Sequence, residues 1–268
     1  MTVEVVTEHH AEGDAILAVD RLSKKFGGLE AVTDFNMVVK RGEIKGLIGP
    51  NGAGKSTLFN LISGLYKPTS GSVLFDGENL TGKSPDHIAA KGIGRTFQAV
   101  KLLANKSVIE TMRTAFFMSY RYNAWDTIFQ TRRYRDQEKR FEQEAVKHLT
   151  RLGVAHLQHK NGNELAYGLQ RKVSIAMTLC LNPKILLLDE PMAGLTHTEK
   201  DNLIDILLKL KNDFDLSILL VEHDMKVIMN LCKSISVMNY GRLIANGTAE
   251  EIRNNDQVVE AYLGTGDI

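Results

Sequence analysis

The sequence predicts an α/β fold built on a mostly parallel sheet, and three observations point there. Two apolar runs of strand length, Ile185-Leu186-Leu187-Leu188 and Ile218-Leu219-Leu220-Val221, carry no polar residue, as expected of parallel strands buried on both faces. Segments of helical period accompany them: Val173, Ala176, Met177 and Cys180 recur at i, i+3, i+4 and i+7, and Leu203, Ile206, Leu207 and Leu210 form a second stripe. A glycine-rich loop, Gly49-Pro50-Asn51-Gly52-Ala53-Gly54-Lys55-Ser56, separates a predicted strand from a predicted helix. Strands alternating with helices close into a sheet covered by its own crossovers.

Taken in chain order, Ala15 to Val39 reads as two β segments around Lys24-Lys25-Phe26-Gly27-Gly28, where the glycine pair marks a turn. Glu43 to Ile48 is a strand, and Thr57 to Ser63 a helix closed by Gly64 and Pro68. Ser72 to Phe75 is a strand ended by the Asp76-Gly77 turn. A helical stretch runs from about Val108 to Leu152. Within it, residues 116 to 141 hold eight of the chain's eighteen aromatics, Trp125 among them, which sets this block apart as an insert. The helix of Val173, the strand ending at Leu188, the helix of Leu203 and the strand Ser217 to Val221 complete the pattern.

Composition excludes several classes. The 268 residues are 43% hydrophobic and 24% charged, ample for a buried core. Lys plus Arg number 33 against 32 Asp plus Glu, a net of +1, so bulk charge does not hold this chain to nucleic acid. Mean hydropathy is −0.15, and no window reaches the roughly 18 apolar residues of a membrane span. Met1 to Ala15 carries acids and a His pair but no apolar core, so no signal peptide is expected. Cys180 and Cys232 are too few for a disulfide framework, which suits a reducing cytoplasm.

The loop from Gly49 to Ser56 fits GxxxxGK[ST] in the strand–loop–helix setting that a P-loop requires. Its glycines let the backbone wrap a phosphate, and N–H groups at the start of the next helix face the anion. Lys55 can neutralise β and γ phosphates, and the Ser56 hydroxyl can ligate Mg²⁺. Asp189 and Glu190 close the leucine-rich strand, at the sheet edge where ligands of α/β folds bind. Asp189 is placed to hold Mg²⁺, and Glu190 to polarise an attacking water. His223 also follows an apolar strand, after Glu222. Gln98, in Arg95-Thr96-Phe97-Gln98, is by itself an ordinary polar residue.

The order of P-loop, Arg-Thr-Phe-Gln, helical block, Leu165-Ala166-Tyr167-Gly168, Leu-Leu-Leu-Asp-Glu-Pro and Glu222-His223-Asp224 resembles an ATP-binding-cassette ATPase. The resemblance runs from about Leu17 to Gly264. Within that superfamily it is most similar to the ATPase subunits of branched-chain amino-acid importers, through Lys25-Phe26-Gly27-Gly28, the Ala-Tyr-Gly signature, the aromatic insert, and the tail from Ala245 to Ile252 ending Ala261-Tyr262-Leu263-Gly264. The resemblance implies a P-loop NTPase core of RecA type with an antiparallel β subdomain. It places that core at about 14–98 and 183–249, a helical subdomain at about 99–182 and a helical tail at about 250–268.

Roles follow by position. Phe26 matches the aromatic that stacks on adenine, and the loop from Gly49 to Thr57 the phosphate cradle. Gln98 matches the residue that senses Mg²⁺ and γ-phosphate and relays to the membrane partner. Glu190 matches the catalytic base, His223 the γ-phosphate switch, and Leu165, Ala166, Tyr167, Gly168 and Leu169 the signature that reaches the ATP of a facing subunit. ATP and Mg²⁺ are the implied ligands. The implied partners are a second cassette, permease subunits and, indirectly, an extracytoplasmic solute-binding protein. The implied place is the cytoplasmic face of the inner membrane, as a peripheral subunit.

Two departures stand out. The common signature is Leu-Ser-Gly-Gly-Gln, whereas Ala166 replaces its Ser and Leu169 its Gln. The loop after Pro191 ends Thr196-His197, where the branched-chain subfamily usually has Asn-Pro. The weakened signature favours a heterodimer, with a homodimer as the other arrangement. The insert carries nine basic and five acidic residues between Arg113 and Arg151, and reads either as a small helical core with a solvated face or as a docking surface for a permease. Three alternatives stay open: an ATPase of a lipid or other export system, a soluble cassette outside transport, and a nucleotide-gated module without turnover.

Overall fold

The computed structural model describes residues 14–96, 102–103, 105–116, 129 and 131–263. The strands are β1 (Ala15–Phe26), β2 (Leu29–Lys40), β3 (Ile44–Ile48), β4 (Ser70–Phe75), β5 (Glu78–Asn79), β6 (Ile93–Arg95), β7 (Ile185–Asp189), β8 (Ser217–Val221), β9 (Ser234–Asn239) and β10 (Arg242–Gly247). The helices are α1 (Lys55–Ile62), α2 (Pro85–Lys91), α3 (Val108–Phe116), α4 (Arg132–Arg151), α5 (Tyr167–Leu179), α6 (His197–Phe214), α7 (Met225–Leu231), α8 (Ala249–Arg253) and α9 (Asp256–Leu263). The chain divides into two compact units, one of residues up to 85 together with 215 onward, the other of residues 86–214.

In the first unit, β1 and β2 pair antiparallel about the turn at Gly27, and β4 and β5 extend that sheet in the order β2-β1-β4-β5. Asp76 and Gly77, at φ 51 and 79, connect β4 to β5, the positive-φ pair that a tight two-residue hairpin requires. The second sheet carries the parallel core: β3 lies between β8 and β9, parallel to both, and β10 pairs antiparallel with β9. All five residues of β3 and of β8 are buried, which is why β8 reads as an unbroken apolar run. The predicted helix after the P-loop starts two residues early, so Lys55 and Ser56 are already helical.

In the second unit, β6 and β7 pair parallel with Ile93 opposite Ile185 and Arg95 opposite Leu187. A Cβ on Gly94 would lie 2.7 Å from Thr178 Cγ2 and 3.0 Å from Pro183 Cβ, so glycine is what lets β6 approach α5. The predicted 108–152 block contains α3 and α4; residues 117–128 and 130 lie outside the described residues. Phe141, Ala145, His148 and Leu149 form the buried stripe of α4, and Phe141 meets Phe116 of α3 at 4.9 Å between ring centroids. These two aromatics form a core, whereas Phe129 is 65% exposed. His148 stacks on Phe214, and burial together with nearby Arg151 lowers its pKa.

Candidate functional site

The P-loop leaves the end of β3 and returns as α1. Gly49, at φ 151, sits where a Cβ would fall 2.0 Å from the Met238 carbonyl oxygen; at Gly54, φ 105, it would fall 2.5 Å from that of Ala31. Side chains are therefore excluded at both positions by backbone approach. At Gly52 there is open space, and only the φ of 79 asks for glycine. Gly241 N donates to the Ala53 carbonyl at 2.8 Å, and its own carbonyl accepts from Thr33 N at 2.8 Å. The β9–β10 hairpin thus pins the loop from outside. Lys55, 7% exposed, donates from Nζ to the carbonyls of Gly49 at 2.6 Å and Pro50 at 2.9 Å. Its charge is held against the loop at the N-terminus of α1, where helix N–H groups favour an anion. Asn51, Gly52 and Ser56 are exposed, Pro50 and Ala53 are buried, and Thr57 is half-buried.

Phe26 lies at the tip of the β1–β2 hairpin and is 42% exposed, too open for a core residue. Tyr66 meets it edge-on at 5.3 Å, and Lys24 Nζ stands 5.0 Å from the ring centroid while donating to the Lys67 carbonyl. The ring is a surface platform braced by two neighbours. His223, also in this unit, is exposed after buried Glu222. Asp224 then caps α7 by accepting from Lys226 N and Val227 N, which fixes the chain direction around His223.

In the second unit β7 is buried throughout and delivers Asp189, 4% exposed, at its end. Arg95 Nη2 lies 3.6 Å from Asp189 Oδ2. Burial lowers the Arg95 pKa and Asp189 opposes that shift. Glu190 follows at φ 48, the left-handed region that ordinary side chains avoid. That turn ends the strand between the two carboxylates, leaving Asp189 buried and Glu190 half-buried.

The signature segment opens α5. Ala166 is its N-cap and supplies no side-chain bond; its carbonyl accepts from Leu169 N at 2.9 Å and Gln170 N at 3.1 Å. Leu165 is buried, and Ala166 is exposed. A Cβ on Gly168 would lie 2.7 Å from Leu195 Cδ2, so this glycine serves packing against the 191–197 loop. Tyr167 is 44% exposed, and its hydroxyl accepts from Arg171 Nη2 at 2.6 Å. Thr196 N donates to Glu199 Oε2 and Glu199 N to Thr196 Oγ1, a capping box at the start of α6. The Thr196-His197 departure therefore keeps the end of this loop as a helix N-cap, a position that Asn also fills, with Pro favoured at the next.

Residues 32–193 match the ABC transporter family model. The chain belongs to that family. Residues 242–268 of this cassette also match the model of the branched-chain amino acid ATP-binding cassette transporter. It is 39% identical to the high-affinity branched-chain amino acid transport ATP-binding protein BraF of Pseudomonas aeruginosa, over 93% of this chain and 98% of that protein. It is 41% identical, at the same coverage, to the corresponding protein LivG of Escherichia coli K12. The crystal structure of the ADP conformation of MJ1267, an ATP-binding cassette of an ABC transporter, aligns with TM-score 0.81 at 31% identity, over 93% of this chain and 99% of that one. The cassette binds ATP and hydrolyses it to drive transport, and cassettes of this family work as dimers with membrane permease components. Among the described residues, no helix is long and apolar enough to cross a membrane.

Of the residues singled out in the sequence, Phe26, the P-loop and His223 fall in the first unit, and Asp189, Glu190 and the signature in the second. Gln98 lies outside the described residues. Two neighbours of these residues carry no role by sequence: Arg95 stands inside the Arg-Thr-Phe-Gln motif without a signal of its own, and Tyr66 has no sequence signal. Mg²⁺ takes hard oxygen donors and usually needs only one or two from protein beside substrate phosphates. The Ser56 hydroxyl and Asp189 carboxylate fit that donor class. Among the described residues, no cluster of three or more His, Cys, Asp or Glu offers a self-sufficient metal cage.

Proposed function

We infer that this cassette powers an importer of branched-chain amino acids or related small solutes from the cytoplasmic face of the inner membrane. The observation that carries the solute class is the branched-chain match of residues 242–268, because the nucleotide-handling elements are common to the whole family. Permease subunits hold it at the membrane, and a solute-binding protein on the far side feeds them. The division into a core at 14–98 and 183–249, a helical subdomain at 99–182 and a tail at 250–268 belongs to this reading.

The residue roles are part of the same proposal. The loop from Gly49 to Thr57 wraps the phosphates, and Lys55 exchanges its loop carbonyls for β and γ oxygens. Ser56, Asp189 and Gln98 hold Mg²⁺, which supplies charge neutralisation at the phosphates. Glu190 takes the proton of the attacking water, His223 holds the γ-phosphate, and Phe26 stacks on the base. Leu165 to Leu169 act on the nucleotide of the facing cassette. ATP favours the closed pair because it bridges Lys55 of one cassette and the signature of the other, and hydrolysis removes that bridge.

Ala166 brings no hydroxyl and Leu169 no amide to the facing nucleotide. That supports pairing with a second, similar cassette, so that this chain's ATP meets a complete signature. Exposed Phe129 supports permease docking by part of the aromatic insert, beside the Phe116–Phe141 core. Solubilising membranes and identifying what copurifies tests partner and permease together. A homodimer with no permease, or a permease for export, rejects this reading.

A further inference from the structure

The first unit holds a cavity of about 330 Å³ at the amino end of β3, opposite the end that carries the P-loop. That is at the small end of the roughly 300–1,000 Å³ typical of small-molecule sites. Lys45 lines it and is only 3% exposed. An ammonium has three N–H donors; Lys45 Nζ places one on Ser234 Oγ at 2.8 Å and one on Asn246 Oδ1 at 2.9 Å. Among the described residues the third has no partner. The nearby carboxylate of Glu43 is engaged, accepting from Ser234 Oγ and from Lys40 N. Burial lowers the Lys45 pKa, with Glu43 opposing. Lys40 and Lys233 add exposed cations to the lining, and Val19, Met37, Val38 and Leu243 supply hydrocarbon.

We propose that this cavity binds a small aliphatic carboxylate, whose carboxylate accepts from Lys45 Nζ with Lys40 and Lys233 nearby and whose hydrocarbon lies on Met37, Val38 and Leu243. An inorganic anion meets the lysines but leaves the apolar wall wet. A purely apolar molecule leaves the buried ammonium unmet, which costs free energy. Two sources share this chemistry: an aliphatic α-amino acid, whose ammonium has Asp20 in the same lining, and its 2-oxo acid, which lacks that group. The site takes no part in ATP chemistry and stands apart from the transport reading.

Calorimetric titration of L-leucine, 4-methyl-2-oxopentanoate and inorganic phosphate into the full chain tests it. The expected result is saturable 1:1 binding of at least one aliphatic carboxylate, millimolar or tighter as befits so small a ligand, with phosphate about tenfold weaker or worse. Tighter leucine assigns the amino acid, and a tighter 2-oxo acid assigns the other source. Lys45→Met should weaken binding about tenfold or more; if that variant does not fold, Lys233→Glu, exposed in the lining, should weaken it in the same direction. ATP affinity should stay unchanged in either variant, which separates this site from the P-loop. Binding of neither carboxylate, equal affinity for phosphate, or unchanged affinity in the folded variants overturns the proposal.

Discussion

Glu190 combines a proposed chemical role with a backbone conformation, φ 48, that costs a side-chain-bearing residue about 1–2 kcal/mol. Replacement by Gln keeps the shape and removes the base, so turnover should fall to about 1% or less with ATP binding intact. Replacement by Gly should abolish turnover equally and raise stability over the Gln variant by up to about 1 kcal/mol. Thermal unfolding checks this, and no stability difference between the two would mean the turn stores no strain. Lys55 is nearly buried and bonded to its own loop. Lys55→Ala should therefore weaken ATP binding at least about tenfold, through loss of one charge-assisted contact; unchanged affinity would remove the P-loop assignment. Burial pushes both Cys180 and Cys232 thiols up to about 12. At pH 8 the reactive thiolate is then scarce in the folded chain, and alkylation should track unfolding.

Helix starts decide how the two sequence departures act. Thr196 and Glu199 form a capping box on α6, so Thr196→Ala should cost about 1 kcal/mol. The double change Thr196→Asn, His197→Pro should be close to neutral in stability, since Asn also caps and Pro suits the first helical position. At α5 the N-cap is Ala166, with no side-chain acceptor. Ala166→Ser should raise both stability, by about 1 kcal/mol, and, with Leu169→Gln, the ATPase rate of the chain measured alone. Elements with strong patterns were legible in the sequence: β8 spans the expected residues, and the stripe of Leu203, Ile206, Leu207 and Leu210 is the buried face of α6. The true start of α1 is not legible, because a P-loop's last residues, Lys55 and Ser56, carry no apolar period. The ion pair of Arg95 with Asp189 was not legible, because it depends on β6 and β7 being neighbours, which no local pattern encodes.

At the scale of the whole molecule, the pairing of cassettes governs how the residue changes are felt. If the proposed phosphate site is complete and the Ala166 and Leu169 signature weakened, hydrolysis in a heterodimer is unequal. Glu190→Gln in this chain should then reduce transport more than the same change in the partner, and equal losses would argue for two equivalent sites. The motifs proposed to serve ATP stand out in the sequence because they are short and ordered along the chain; the solute does not, because no residue of the cassette needs to touch it. The most direct measurement is ATP-dependent uptake of labelled leucine by vesicles holding the assembled transporter. Uptake with the wild-type chain, cut to about 1% or less by Glu190→Gln, is the predicted result. Full uptake with that variant, or ATP hydrolysis by the wild-type complex without import of any branched-chain amino acid, would contradict the account.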